Sequence, residues 1–362
     1  ARQCGKSTLV RQFCLQNNIP LAEINLEETK LRSLEKKDLK ISEVINELNY
    51  ILNLDLTQSQ AILFLDEIQA QPRAIEALRY FFEKYPDLPV IAAGSLLEMM
   101  LTENPISMPV GRVEYLFLYP LSFGEFIKEV APAQLYNEWN KKKLEKLPER
   151  IHEDLIELLK VYFWVGGMPE AVKEYSKSKS LDKVERIKKN ILRTYFDDFL
   201  KYASKTQVDK LHKIFSYVPG HLGQKVVYST VDSLSQSRDL RKAIELLIYS
   251  KVIIPVYHSN GSSLPLAGTK DSKIFKLFFL DIGLVMSMMN VQFLDWMNQS
   301  LLTSLEGALA EQFVAQHFLL CSEALPAPEL FYWLRDKSIQ KAELDFIIQK
   351  NKKIIPIEVK SN

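Results

Sequence analysis

Two short stretches constrain this chain more than anything else in it: Ala1-Arg-Gln-Cys-Gly-Lys-Ser-Thr8 at the start, and Ala61-Ile-Leu-Phe-Leu-Asp-Glu-Ile68 roughly sixty residues on. The first fits the phosphate-binding pattern GxxxxGK[ST], with its leading glycine lying just before Ala1. The chemistry needs these residue types. Gly5 lets backbone N–H groups wrap phosphates, Lys6 reaches the β and γ oxygens, and Ser7, beside Thr8, offers a hydroxyl to Mg²⁺. The apolar residues Leu9, Val10 and Phe13 suit a helix whose N-terminus faces those phosphates. The second stretch is a continuous apolar run ending in two carboxylates, the pattern of a buried parallel strand. Asp66 at its end would hold the Mg²⁺ shell and Glu67 would polarise an attacking water. A core strand with an acidic cap is the plainer alternative, and the preceding phosphate loop favours the hydrolytic one. A third strand is expected over Leu88-Pro-Val-Ile-Ala-Ala-Gly-Ser95. Strand, helix and strand in repetition point to an α/β fold with a doubly wound parallel sheet.

Composition narrows the class. The 362 residues suffice for two or three domains, and 47% hydrophobic with 25% charged residues excludes wholesale disorder. Three cysteines (Cys4, Cys14, Cys321) build no disulfide framework, and no CxxC pair offers a zinc site. A reducing, cytoplasmic setting is expected. The longest uncharged apolar stretch, Ile282 to Leu294, is too short to span a bilayer. Both ends read as cut, because the chain starts with Ala inside a motif. The net charge of +1 hides an asymmetry. Residues 201–270 hold 10 basic and 4 acidic side chains, for +6, whereas residues 1–130 hold 13 and 18, for −5. A polyanion would be gripped by the former segment.

Leu65-Asp-Glu-Ile-Gln69, Ala92-Ala-Gly-Ser95, Val110-Gly-Arg-Val-Glu114 and Pro120-Leu-Ser-Phe123 resemble prokaryotic AAA-type ATPases whose C-terminal half is a domain of unknown function. Gly166-Gly-Met-Pro169, Leu280-Asp-Ile-Gly-Leu284 and Ala342-Glu-Leu-Asp-Phe346 agree, so the resemblance covers essentially the whole chain. It implies ATP as ligand and ATP hydrolysis as activity, with no assigned cellular task. In such ATPases a polar residue ending the third strand senses the γ-phosphate, which makes Ser95 the candidate; the alternative is that Ser95 caps a helix starting at Leu96. By the same resemblance Arg112 is either a charge-stabilising arginine at the nucleotide or a structural salt bridge. AAA-type modules often form rings, so a homo-oligomer is among the implied partners.

Residues 125–200 read as helices, with Leu155-Ile156, Leu158-Leu159 and Tyr162-Phe163 at helical spacing and a break at Gly166-Gly167. A helical lid fits them. Over 206–258 the pattern is helix–turn–helix–wing. One helix surrounds Lys210–Phe215, and a second runs Arg238–Leu247 with a stripe at Leu240, Ile244 and Leu247. The strands Val252–His258 and Ile274–Leu280 then flank a Gly/Ser turn. This resembles a winged helix, with Arg238, Arg241 and Lys242 on an exposed face and DNA as the expected partner. A protein-docking winged helix is the alternative. The five histidines show no ligand spacing.

The C-terminal segment carries the second chemical signal. A helix through Glu306–Phe318 precedes three strands: Leu330–Arg335, Glu343–Gln349 and Ile354–Lys360. A two-residue turn at Asn351-Lys352 would set Asp345 directly opposite Glu358, with Lys360 on the same face. Leu344, Phe346, Ile348, Ile357 and Val359 then form the opposite, buried face. Two facing carboxylates repel, and a cation between them relieves the repulsion. Asp, then Glu-x-Lys, after a helical glutamate resembles the PD-(D/E)xK nuclease superfamily. By that resemblance Glu311, Asp345 and Glu358 hold Mg²⁺ and Lys360 positions or activates water. A fold that keeps the charged site without cleavage is the alternative.

The expected division is an ATPase core over 1–125, a helical lid or bundle over 126–200, a winged-helix-like segment over 201–284, and a small restriction-endonuclease-like α/β domain over 285–362. The function expected is an ATPase that binds or acts on DNA through its C-terminal half. Nuclease activity is left open. The alternative is a nucleotide-driven switch whose C-terminal half only docks protein or DNA.

Overall fold

The computed structural model describes residues 2–94, 111–141, 147–202, 205–298, 303–322, 328–337 and 340–360. It separates into two compact units, Ala1–Leu118 and Tyr119–Asn362.

In the first unit, helix α1 (Lys6–Gln16) is followed by β1 (Leu21–Asn25), α2 (Ile41–Leu52), β2 (Ile62–Asp66), α3 (Arg73–Lys84) and β3 (Val90–Ala92). The strands are parallel and ordered β1-β2-β3, with β2 central. Every residue of β2 is buried, as its unbroken apolar run requires. The stripes Ile41, Val44, Ile45, Leu48 of α2 and Ala74, Ile75, Ala77, Phe81 of α3 close over the sheet in one core. The described strands add in one direction; the reversal that a doubly wound sheet contains is not among the described residues. Strand β1 had no clear signal, because Leu-Ala-Glu-Ile-Asn is short and half polar. Of the apolar residues on α1, Leu9, Phe13 and Leu15 are exposed.

The second unit begins with helices α4 (Phe123–Val130), α5 (Ala133–Asn140), α6 (Glu149–Val165), α7 (Pro169–Ser178) and α8 (Leu181–Tyr202). Ser122 and Glu125 form a capping box at the start of α4. Helices α9 (Lys205–Tyr217), α10 (Tyr228–Val231) and α11 (Ser237–Tyr249) lead into the antiparallel hairpin β4 (Ile253–Ser259) and β5 (Lys270–Phe279). The expected stripe of α11, Leu240, Ile244 and Leu247, is buried. Helices α12 (Ile282–Met288), α13 (Phe293–Met297) and α14 (Thr303–Leu320) precede β6 (Leu330–Lys337), β7 (Gln340–Lys350) and β8 (Lys353–Ile357).

Two features depart from the expected four-part division. The helices over 126–200 fold into the second unit, where α6 and α8 pack on α12. And the two strand groups expected in separate domains share one five-stranded sheet, ordered β5-β4-β6-β7-β8. The join is parallel, Val256 pairing with Leu330 and His258 with Tyr332, so the free edge of the hairpin is used up by the C-terminal strands.

Three of the resemblance motifs meet in one joint. Tyr162 Oη donates to Leu121 O at 2.7 Å, and Leu121 N–H donates to Gly167 O at 2.7 Å. Gly167 N–H in turn donates to Asp281 Oδ2 at 2.7 Å, and Leu284 N–H to Asp281 Oδ1 at 3.0 Å. A Cβ on Gly167 would run into the Leu121 carbonyl, which explains the residue type. Burial raises the Asp281 carboxyl above its ordinary value, and the backbone donors of Gly167 and Leu284 oppose that. These motifs hold chain segments together.

Candidate functional site

In the first unit the phosphate-loop residues and the acidic end of β2 are brought together. Gly5 caps α1 in a left-handed conformation (φ 83°), and Lys6 and Ser7 are the first residues of the helix. The N–H groups of that first turn have no intrahelical acceptor and point out of the helix end, where an anion is favoured. Ser7 Oγ donates to Asp66 Oδ2 at 2.6 Å. Asp66 is only 8% exposed, and Glu67 N–H donates back to its Oδ1 at 3.0 Å. Burial lowers the Lys6 ammonium from its ordinary value, while Cys4, Glu67 and Asp66 pull it back up. Thr8 is exposed beside the loop.

Glu67 turns the chain out of the sheet at φ 50°, a conformation that costs a non-glycine residue on the order of 1 kcal/mol and clusters at functional sites. Its carboxylate accepts a hydrogen bond from Gln69 Nε2. Gln69 is buried, and a Cβ on Gly94, just past β3, would lie 2.6 Å from Gln69 Oε1. Sequence reasoning gave Gln69 no role; its signal was its place at the end of the Leu65-Asp-Glu-Ile-Gln69 motif. Ser95 lies outside the described residues. Arg112 Nε sits 2.8 Å from Glu83 Oε1 on α3, the salt-bridge alternative for that residue.

A hydroxyl and a carboxylate converging beside a helix N-terminus are oxygen donors of the type a hard divalent cation takes. Ser7 and Asp66 therefore fit Mg²⁺.

In the second unit the hairpin register is the expected one. Lys350 pairs with Lys353 and Phe346 with Ile357, and Asn351 and Lys352 form the turn at φ 50° and 60°. The ladder ends there: β8 stops at Ile357, so Glu358, Val359 and Lys360, expected within a strand running to Lys360, lie beyond it, and the expected Asp345–Glu358 pair is not part of the ladder. Of the face expected to be buried, Phe346 is buried, while Leu344, Ile348, Ile357 and Val359 are half-buried.

The charged groups, however, do not converge on one point. Asp345 Oδ2 accepts from Val359 N–H at 2.7 Å. Lys360 Nζ lies 2.7 Å from Glu358 Oε1, both largely exposed. Glu311 on α14 is 3.3 Å from Lys276 Nζ on β5, and that same ammonium pairs with Glu343. Burial pushes the Glu311 carboxyl up to about 7; Lys276 opposes the rise, and Asp345 and Glu343 add to it. Among the described residues no group of three or more His, Cys, Asp or Glu side chains is placed to hold a metal ion. Each of the three carboxylates expected in the shell has a protein partner: Glu311 has Lys276, Asp345 the Val359 N–H, and Glu358 the exposed Lys360. Lys276 was not foreseen: nothing in β5 marks one lysine among apolar neighbours as facing residues 35 positions away.

Residues 1–127 match the family described as an AAA domain. Residues 156–295 match a domain of unknown function (DUF8612), and residues 306–362 match another (DUF4143). No curated protein matches the chain. The first match supports an AAA-type ATPase family for the N-terminal part. No helix among the described residues is long and apolar enough to cross a membrane.

Proposed function

Starting from an AAA domain over residues 1–127, we propose that the chain is an ATP-hydrolysing switch whose second unit docks DNA without cutting it. The observation that carries the ATPase reading is the 2.6 Å hydrogen bond between Ser7 and Asp66, which joins the phosphate loop to the acidic strand end. ATP binds over Gly5 to Thr8, with Lys6 on the β and γ oxygens. Ser7 and Asp66 would hold Mg²⁺, which when bound neutralises charge on the phosphate oxygens. Glu67, aimed by Gln69, orients the attacking water and takes up its proton. Arg112 serves structure through Glu83.

The docking reading rests on the second unit. Three helices and a hairpin follow one another over 205–279 in winged-helix order, and Arg238, Arg241 and Lys242 are exposed at the start of α11. Arg238 lies near Asp239 and Arg241 near Glu245, exposed pairs that water and phosphate readily replace. The reading without cleavage rests on Glu311, paired with the buried Lys276, and on Asp345, which accepts from the Val359 N–H.

Phosphate release by the full chain, with and without Mg²⁺, tests the ATPase; turnover unaffected by Lys6→Ala would refute it. Supercoiled plasmid with Mg²⁺ or Mn²⁺, beside the Asp345→Ala variant, tests the rest. Retardation without nicking is the expected result, and nicking lost in Asp345→Ala would replace docking with a nuclease. If Lys6→Ala abolished ATP turnover and changed nothing in DNA binding, the two activities would be independent and the chain no switch.

A further inference from the structure

Glu343 of β7 and Glu311 of α14 face a cation supplied by the chain itself. Lys276 lies on β5, paired with Val256 in the hairpin, and is 2% exposed. A buried ammonium is tolerated only when its charge is matched and its protons are placed. Here the Glu311 carboxylate lies 3.3 Å away, Glu343 completes the pair, and the Tyr332 ring stands 5.0 Å below the ammonium. Glu311 is further confined by Gly223, where a Cβ would lie 2.8 Å from Glu311 Oε2. A divalent ion bound by these carboxylates would need their oxygens at about 2.0–2.6 Å, turned from the ammonium they now hold. The ammonium already bridges them.

We infer that Lys276 occupies the cation position of the C-terminal acidic constellation, so that Glu311 and Glu343 are neutralised from within the chain and no divalent metal enters while Lys276 is in place. With Asp345 engaged by Val359 N–H and Glu358 by Lys360, each acidic group of the constellation has an internal partner. Lys276 thereby ties β5, on the hairpin side of the shared sheet, to β7 and α14. The inference concerns the second unit alone and stands or falls independently of ATP hydrolysis.

Electron paramagnetic resonance of free Mn²⁺, titrated into the nucleotide-free full chain, tests it. In the expected result Glu311→Gln leaves Mn²⁺ binding as in the parent chain. Lys276→Met gains a site at least about tenfold tighter, and the added Glu311→Gln change removes it. A parent-chain Mn²⁺ site weakened about tenfold or more by Glu311→Gln would overturn the inference. So would a cooperatively melting Lys276→Met variant that gains no site. If Lys276→Met does not fold, Lys276→Gln takes its place, and the comparison of parent with Glu311→Gln decides without either.

Discussion

Ser7 and Asp66 are 59 positions apart in the chain and 2.6 Å apart in space, and that contact turns two local patterns into one site. At this scale the expected effects are sharp. Glu67→Gln keeps the shape of the side chain and removes the base, so ATP still binds while phosphate release falls by on the order of 10² to 10⁴. Equilibrium nucleotide titration beside single-turnover hydrolysis separates the two effects. In the proposed mechanism Gln69 acts through Glu67. Gln69→Ala lowers the turnover number by on the order of ten- to a hundredfold with KM for ATP little changed, and Gly94→Ala does the same because its Cβ displaces the Gln69 amide. A loss of nucleotide affinity in step with turnover would mean that Gln69 only supports the fold. The placement of Lys6, Ser7, Asp66 and Glu67 at one loop and one strand end was legible, because residue type and local pattern mark both. Gln69 was not, because its role depends on where β3 ends.

Among the elements, the turn and register of the hairpin β7–β8 were legible from alternation and a two-residue turn, whereas its second strand ends at Ile357 rather than Lys360. Its price is a turn with two non-glycine residues at positive φ. Lys352→Gly should therefore raise stability, by about 0.5–1 kcal/mol, in chemical denaturation of the full chain. A decrease would mean that the Lys352 side chain does more than turn the strand. Helix α11 was equally legible, since a single apolar stripe fixes which face is buried. Its opposite face carries the prediction for DNA. Replacing Arg238, Arg241 and Lys242 together with Ala should weaken duplex binding at least tenfold and reduce the slope of log K against log salt by roughly 2–3. An unchanged slope in a salt titration would remove this face from the interface. Strand β1 escaped notice because five residues of mixed polarity do not show a period.

For the second unit as a whole, stability depends on a histidine to which sequence reasoning gave no specific role. His317 on α14 accepts Phe123 N–H at Nε2, 2.9 Å away, and its Nδ1 lies 2.9 Å from Phe313 O, so the neutral ring with hydrogen on Nδ1 satisfies both. Burial pulls its pKa down to about 4 from an ordinary 6.5. Between those values the unfolded chain binds the proton and the folded chain does not, so stability is full above about pH 6.5 and falls as pH drops toward 4. The loss approaches about 3 kcal/mol, at 1.36 kcal/mol per pH unit. His317→Gln retains an acceptor without the titration, and denaturant melts at pH 7 and pH 4.5 should show a smaller acid loss than in the parent chain. Equal losses would place the acid-sensitive group elsewhere.

The sequence alone determined what neighbours along the chain decide: a phosphate loop, a buried strand ending in carboxylates, the stripe of α11, and the register of the last hairpin. Each is set by residue type and by a period of two or 3.6 residues within a few turns. Tertiary structure decided which charges meet. It joined the β4–β5 hairpin and the C-terminal strands in one sheet, placed the helices over 126–200 in the second unit, and brought Lys276 on β5 to Glu311 on α14. No local period encodes such pairings. They follow from burial, because an ionised group removed from water must find its partner wherever the packing of distant segments places one.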